Sequence, residues 1–149
     1  MIDILVLGEL NADLILRGDV VPEWNQTEKL IDDAALTLGS SSAIFACGAA
    51  RLGLRVAFVG VVGDDLLGRF CCEALQARGV DTSGVVVDPA LRTGMTVILQ
   101  LPDDRAMLTF PGAIPMLRAD MVDPALLGAA RHIHVGSYFW QTALQPGLP

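Results

Sequence analysis

The sequence predicts an α/β fold: a mainly parallel sheet covered on both faces, with a second, smaller β-sheet standing apart from it. Three observations carry that expectation. Short runs that are apolar at nearly every position recur at 4–7, 56–62, 84–87 and 133–135, the pattern of strands protected on both faces. Segments of helical length separate the first three runs, which is the alternation of βαβ units. Two stretches, at about 14–38 and about 93–111, interrupt the rhythm with polar or alternating sequence, as strands with a single protected face do.

Each element has a local cause. The run Ile4-Leu5-Val6-Leu7 stops at Gly8 and is the first core strand. Residues 41–52 are rich in small side chains, offer Ser40, Ser41 or Ser42 as an N-cap, and end at Gly53, so they form a tightly packed helix. The run 56–62 is expected as one strand. Residues 64–78 open with two acids, carry Leu66, Leu67, Phe70, Cys71 and Leu75 at helical spacing, and stop at Gly79. Asp64 and Asp65 are read there as cap and dipole partners rather than as a metal-binding pair. In the stretch 93–111, Met95, Val97 and Leu99 alternate with Thr96, Ile98 and Gln100, and Pro102-Asp103-Asp104-Arg105 supplies the turn of a hairpin. Residues 120–130 follow as a short helix and 133–136 as a further core strand. Phe139, Trp140 and Leu144 then stand close to the last residue and are expected uncovered at an open edge of the sheet.

Composition excludes several function classes. With 149 residues, 52% hydrophobic and 18% charged, there is material for one domain with a sizeable core. The positive mean hydropathy, +0.51, suggests a buried partner surface. No run reaches the 18 or so apolar residues of a membrane span. Ten basic against 17 acidic residues, net −7, would repel a phosphate backbone, so nucleic acid is not an expected partner. The first residues show no signal peptide, and a cytoplasmic location is expected. Cys47, Cys71 and Cys72 lack metal-ligand spacing and are read as reduced structural thiols. His132 and His134 alternate along one strand without an evident third ligand, and no metal site is assigned.

Two short motifs could hold a ligand. Gly8-Glu9-Leu10-Asn11-Ala12-Asp13 places Asn11 and Asp13 just past the carboxyl end of the first strand, where open α/β sheets bind ligands. Asn and Asp also form turns there, whereas a carboxylate in a site can accept two hydroxyls of a polyol. Gly39-Ser40-Ser41-Ser42 brings N–H groups and hydroxyls to a positive helix end, which suits a polar or anionic ligand and equally an ordinary cap. Neither a Walker A loop nor a G-x-G-x-x-G fingerprint is present.

The pieces gain specificity in order. Gly8-x-x-Asn11-Ala12-Asp13, then Gly39 opening a small-residue helix that ends Ala50-Arg51-Leu52-Gly53, then Val59-Gly60-Val61-Val62-Gly63-Asp64-Asp65-Leu66-Leu67-Gly68, then Leu75-x-x-x-Gly79-Val80-Asp81, and last Thr93-Gly94 before a hairpin, is similar to the ribokinase-like (PfkB) carbohydrate kinases. The resemblance runs from Ile4 to about Ser137. It implies the N-terminal half of such a kinase, residues 1–149, with a ribokinase-like, Rossmann-type layered core and a lid made of the 14–38 and 93–111 segments. It also implies phosphoryl transfer from ATP, with Mg, to a sugar, nucleoside or sugar-like alcohol. Asn11 and Asp13 would bind substrate hydroxyls, Gly39 and Ser40 would lie against the sugar, and the lid could join a homodimer.

Two departures qualify the resemblance. The family's Gly-Gly-x-x-x-Asn reads Gly39, Ser40 and Ile44 here, and Ile44 cannot make an amide's hydrogen bonds. The family's Asn-x-x-Glu and Asp-Thr-x-Gly-Ala-Gly-Asp segments, which serve magnesium, the anion hole and the catalytic base, have no counterpart in residues 1–149. No catalytic residue is therefore assigned, and these residues alone are expected not to turn over. The alternative is a non-catalytic module that binds a sugar or nucleoside, or that dimerises.

Overall fold

The computed structural model describes residues 1–148. In chain order its elements are β1 (Ile2–Leu7), β2 (Asn11–Arg17), β3 (Asp33–Leu38), α1 (Ser41–Arg51), β4 (Val56–Val59), β5 (Val61–Gly63), α2 (Leu66–Gln76), β6 (Val86–Asp88), β7 (Gly94–Gln100), β8 (Arg105–Phe110), α3 (Pro124–Ala129) and β9 (Ala130–Val135). β1 is the middle strand of a three-stranded parallel sheet, between β4 and β9. Its alternate side chains serve two cores. Val6 packs with Val56, Phe58 and the small residues Ala43, Ala46 and Ala49 of α1, and with Cys71 and Leu75 of α2. Leu5 and Leu7 pack with Ala57, Val59, Leu117, Val122 and Leu144 on the other face.

The capping signals are realised locally. Ser40 caps α1 through its hydroxyl, which accepts from Ala43 N, and Gly53 follows at φ +89°. Asp65 caps α2, which is shorter at each end than the 64–78 expected, and Gly79 stands past its end at φ +80°.

Four expectations need correction. The run 56–62 is not one strand. It breaks at Gly60, where a Cβ would stand 2.7 Å from the Gly8 carbonyl and 2.9 Å from the Phe58 ring. β4 stays in the central sheet, and β5 leaves it to pair with β6 in a separate two-stranded parallel sheet. The third apolar run therefore begins pairing at Val86 and does not join the central sheet. Residues 120–130 are not one helix either. A 3₁₀ turn at Ala119–Met121 is followed by extended Val122 and Asp123, and α3 starts afresh at Pro124, whose fixed φ suits a first helical position.

At the end of the chain, Leu144 is buried, at 1% exposure, although Phe139 and Trp140 are exposed as expected. The Ala143 N–H donates to Pro115 O at 3.3 Å, and this folded-back segment seats Leu144 in the second core. β9 lies at the open edge of the sheet expected there, and Ile133 on it is 44% exposed. Among the described residues no helix is long and apolar enough to cross a membrane.

The second sheet has four strands in the order β3-β2-β7-β8, with β2 parallel to β7 and the outer pairs antiparallel. Asp65 anchors it to the core. Its Oδ1 accepts from Gly68 N and its Oδ2 from Thr93 N, both at 2.8 Å, while the Gly63 N–H donates to the Thr93 hydroxyl at 3.0 Å. Burial works to raise the Asp65 pKa, but these N–H donors hold it below its usual value. Asp64 instead pairs with Arg69 at the surface.

Gln141 is fully buried, and among the described residues neither side-chain amide atom has a hydrogen-bond partner. Unsatisfied buried polar atoms cost about 1–3 kcal/mol each. Gln141→Met, of similar length and without those atoms, is expected to raise the melting temperature by several degrees, at about 2–4 °C per kcal/mol. An unchanged or lower melting temperature would show that the amide is satisfied in solution.

Candidate functional site

The small sheet roofs a cleft, and strand register decides which side chains face it. Thr37, Asp13, Thr96 and Thr109 are consecutive register partners across β3, β2, β7 and β8, so they share one face. Asn11 and Met107, two residues away along their strands, lie on that face as well. Opposite them stand Glu9, Ser40, Ile114, Ser137 and Trp140, enclosing a cleft of about 210 Å³. That volume falls below the roughly 300–1,000 Å³ of sites for drug-sized ligands, so the cleft suits a small ligand.

Asn11 and Asp13 do not sit in a loop after β1, as the sequence suggested. The connection is only residues 8–10, because the fully buried Leu10 and Ala12 draw the chain at once into β2. The carboxylate therefore rides on the roofing sheet. Asn11 Nδ2 donates to Asp13 Oδ1 at 3.1 Å. Burial pushes the Asp13 pKa up, against the opposing pull of the Thr96 hydroxyl, Asn11 and the Arg105 charge.

Gly39 lies directly behind this pair. Its N–H donates to Asn11 O at 2.9 Å, and a Cβ there would overlap Asp13 Oδ1 and Asn11 Nδ2. Ser40 has φ +71° and ψ 124°, a costly conformation for a residue with a side chain. Two bonds of its hydroxyl fix it there, one accepted from Ala43 N at 3.0 Å and one donated to Glu9 O at 2.5 Å. The four residues singled out in the sequence, Asn11, Asp13, Gly39 and Ser40, thus meet at one place. Ile44 does not line the cleft and is 60% exposed on α1.

Sequence reasoning passed over Glu9, Thr96, Thr109, Ser137 and Trp140. The alternation of Thr96 with its apolar neighbours marks its face but not what that face meets. His134 stacks on Phe45, with ring centroids 3.8 Å apart at 18°, and among the described residues no group of three or more His, Cys, Asp or Glu gathers as ion ligands.

A parallel α/β core with a small polar cleft under a separate sheet is the architecture in which α/β proteins commonly place a small-ligand site. The chain belongs to the pfkB family of carbohydrate kinases, whose family model matches residues 1–149. Fructokinase-1 of Zea mays is 37% identical over 102 residues, covering 66% of this chain and 32% of that protein. 5-Dehydro-2-deoxygluconokinase of Shouchella clausii is 32% identical over 133 residues, covering 87% of this chain and 39% of that protein. The crystal structure of a fructokinase with bound ATP from Xylella fastidiosa superimposes with a TM-score of 0.76 at 24% identity, over 91% of this chain and 42% of that one. This last likeness shows the fold. The chain thus spans only about a third to two fifths of the length of these curated relatives, 32% and 39%.

Proposed function

We propose that the chain forms the alcohol-binding part of a cytoplasmic, ATP-dependent carbohydrate kinase that phosphorylates a sugar or sugar-like alcohol. The observation that supports this most is the cleft's chemistry. One raised-pKa carboxylate, an amide and several hydroxyls converge on a small volume, as hydrogen-bonding to a neutral polyol requires. Asn11, Asp13, Gly39 and Ser40 are assigned as the substrate-binding residues. The relative named for fructose points to the same neutral class, and the one named for a deoxygluconate derivative to a polyol that also carries an acid group.

The cleft does not fit a nucleotide triphosphate. Glu9 and Asp13 are carboxylates, and among the described residues no Lys or Arg lines the cleft to offset phosphate charge. We therefore do not place ATP in this cleft, and the family segments that serve magnesium, the anion hole and the catalytic base have no counterpart in residues 1–149. Purified residues 1–149 should bind a sugar or nucleoside and transfer no phosphate in a coupled ATP assay across a panel of both. Magnesium-dependent turnover above a control would overturn this division, and the absence of any sugar or nucleoside binding would overturn the assignment of the cleft.

The roofing sheet supports a partner as well. Its face away from the cleft carries the rows Leu36–Leu14–Val97–Leu108 and Ala34–Leu16–Leu99–Ala106, apolar throughout, with Leu36 and Leu108 exposed. A second copy seated there would make a homodimer through the lid. Sedimentation should then show a dimer that Leu108→Asp converts to a monomer; a wild-type monomer at tens of micromolar would refute it.

A further inference from the structure

We propose that Glu9 is the positioning residue of the cleft: its carboxylate ties the link after β1 to the first turn of α1 and to the exit from β9, fixing Ser137 opposite Asp13, while its main-chain carbonyl fixes Ser40. The role rests on the reading of this cleft as the alcohol site. Glu9 is 6% exposed, in the short link between β1 and β2. Its Oε1 accepts from Ser137 Oγ at 2.8 Å, Ser41 Oγ at 3.0 Å and Ser42 N at 3.3 Å, and its Oε2 accepts from Ser42 Oγ at 2.5 Å. Its own carbonyl takes the Ser40 hydroxyl. The link after β1, the first turn of α1 and the exit from β9 are thereby joined.

Two features show that this joint carries a load. Among the described residues, Ser40 at φ +71° and Ser137 at φ +47° are the two with a side chain and positive φ that line the cleft, and both bond to Glu9. Such conformations persist only where their surroundings over-determine them. Ser42 is fully buried, between Gly8 and Gly136 at the ends of β1 and β9, and a Cβ on either glycine would overlap it. Its hydroxyl is thus aimed at Glu9 by the backbone on both sides. Burial works to raise the Glu9 pKa, yet the hydroxyl and N–H donors hold it below its usual value, so the acceptor is a charged one. With four donors already on its oxygens, Glu9 acts on a ligand through the serines and not by contact.

The test separates positioning from mere support of the fold. In a Trp24→Phe background Trp140 is the sole tryptophan, on the 3₁₀ turn that follows Ser137. Glu9→Gln, nearly isosteric, is expected to raise acrylamide quenching of Trp140 about twofold with the far-UV spectrum unchanged, and to weaken D-fructose binding by about tenfold or more, since each hydrogen bond lost with a misplaced serine is worth up to about tenfold in Kd. Asp13→Ala should weaken fructose binding without moving Trp140. If Glu9→Gln does not fold, Ser137→Ala, which removes a single donor from Glu9, should shift the quenching in the same direction. Unchanged quenching in a folded Glu9→Gln protein, or in Ser137→Ala should Glu9→Gln not fold, overturns the proposal. A wild-type protein that fails to bind fructose or any other sugar counts against the cleft's assignment, while the quenching arm still decides the role of Glu9.

Discussion

Replacing Asp13 with Ala is expected to abolish measurable binding of the alcohol substrate while leaving the chain folded. A hydrogen bond to a charged group contributes about 1.5–3 kcal/mol, and a carboxylate that accepts two substrate hydroxyls would lose about 3–6 kcal/mol, or two to four powers of ten in Kd. Calorimetry with a sugar that the wild type binds is the measurement; a loss below about threefold would remove Asp13 from the site. The pH dependence follows from the direction of the shift. Burial raises the folded Asp13 pKa above its unfolded value, so the native state holds the proton more tightly, and the ionised group lowers stability as pH rises through that interval. Substrate hydroxyls donate to the ionised form. Binding should therefore weaken as pH falls through the raised folded pKa, and Asp13→Asn should remove that dependence. Asp13→Asn should also match or exceed the wild type in thermal stability at neutral pH.

The parts that were legible in the sequence are those whose causes are local. Ser40 and Asp65 bond to backbone N–H groups three residues ahead, at Ala43 and Gly68, and a cap of that kind is written in adjacent residues. The alternation along β7 and the turn before β8 are local too. What was missed depends on distant contact. Gly60, at the break, stands against the Gly8 carbonyl, Leu144 is buried beside a return to Pro115, and the partners of Glu9 lie 33 and 128 residues away, at Ser42 and Ser137. Asn11 and Asp13 were recognised by type and order, but their place on a roofing strand follows from the burial of Leu10 and Ala12, which only the assembled core imposes. The cleft was thus half visible: its lid-side acceptors stand in one motif, whereas its floor is drawn together by a carboxylate that no local pattern singles out.

Gly39→Ala is expected to disable the cleft nearly as completely as loss of Asp13, for a reason that is steric. The Cβ would overlap Asp13 Oδ1 and Asn11 Nδ2, both at the ends of side chains and not part of the backbone. Those ends can swing away, so the fold survives, and the cost falls on the geometry that holds the carboxylate toward the cleft. A Cβ at Gly136 differs, since it would overlap the Ser42 hydroxyl, which Glu9 and Gly8 already lock in place. Gly136→Ala should therefore destabilise the protein itself by overpacking, by about 1–3 kcal/mol or more. Gly39→Ala should keep its melting temperature within a few degrees of the wild type and lose at least about a hundredfold in sugar affinity. A double-mutant cycle distinguishes this from a separate contact of Gly39 with the substrate. If the alanine acts by displacing Asp13, it should cost almost nothing further in an Asp13→Ala background, giving a coupling energy about equal to its single effect. Additive losses in the double variant would mean instead that the substrate touches the Gly39 backbone directly and that the two residues contribute independently.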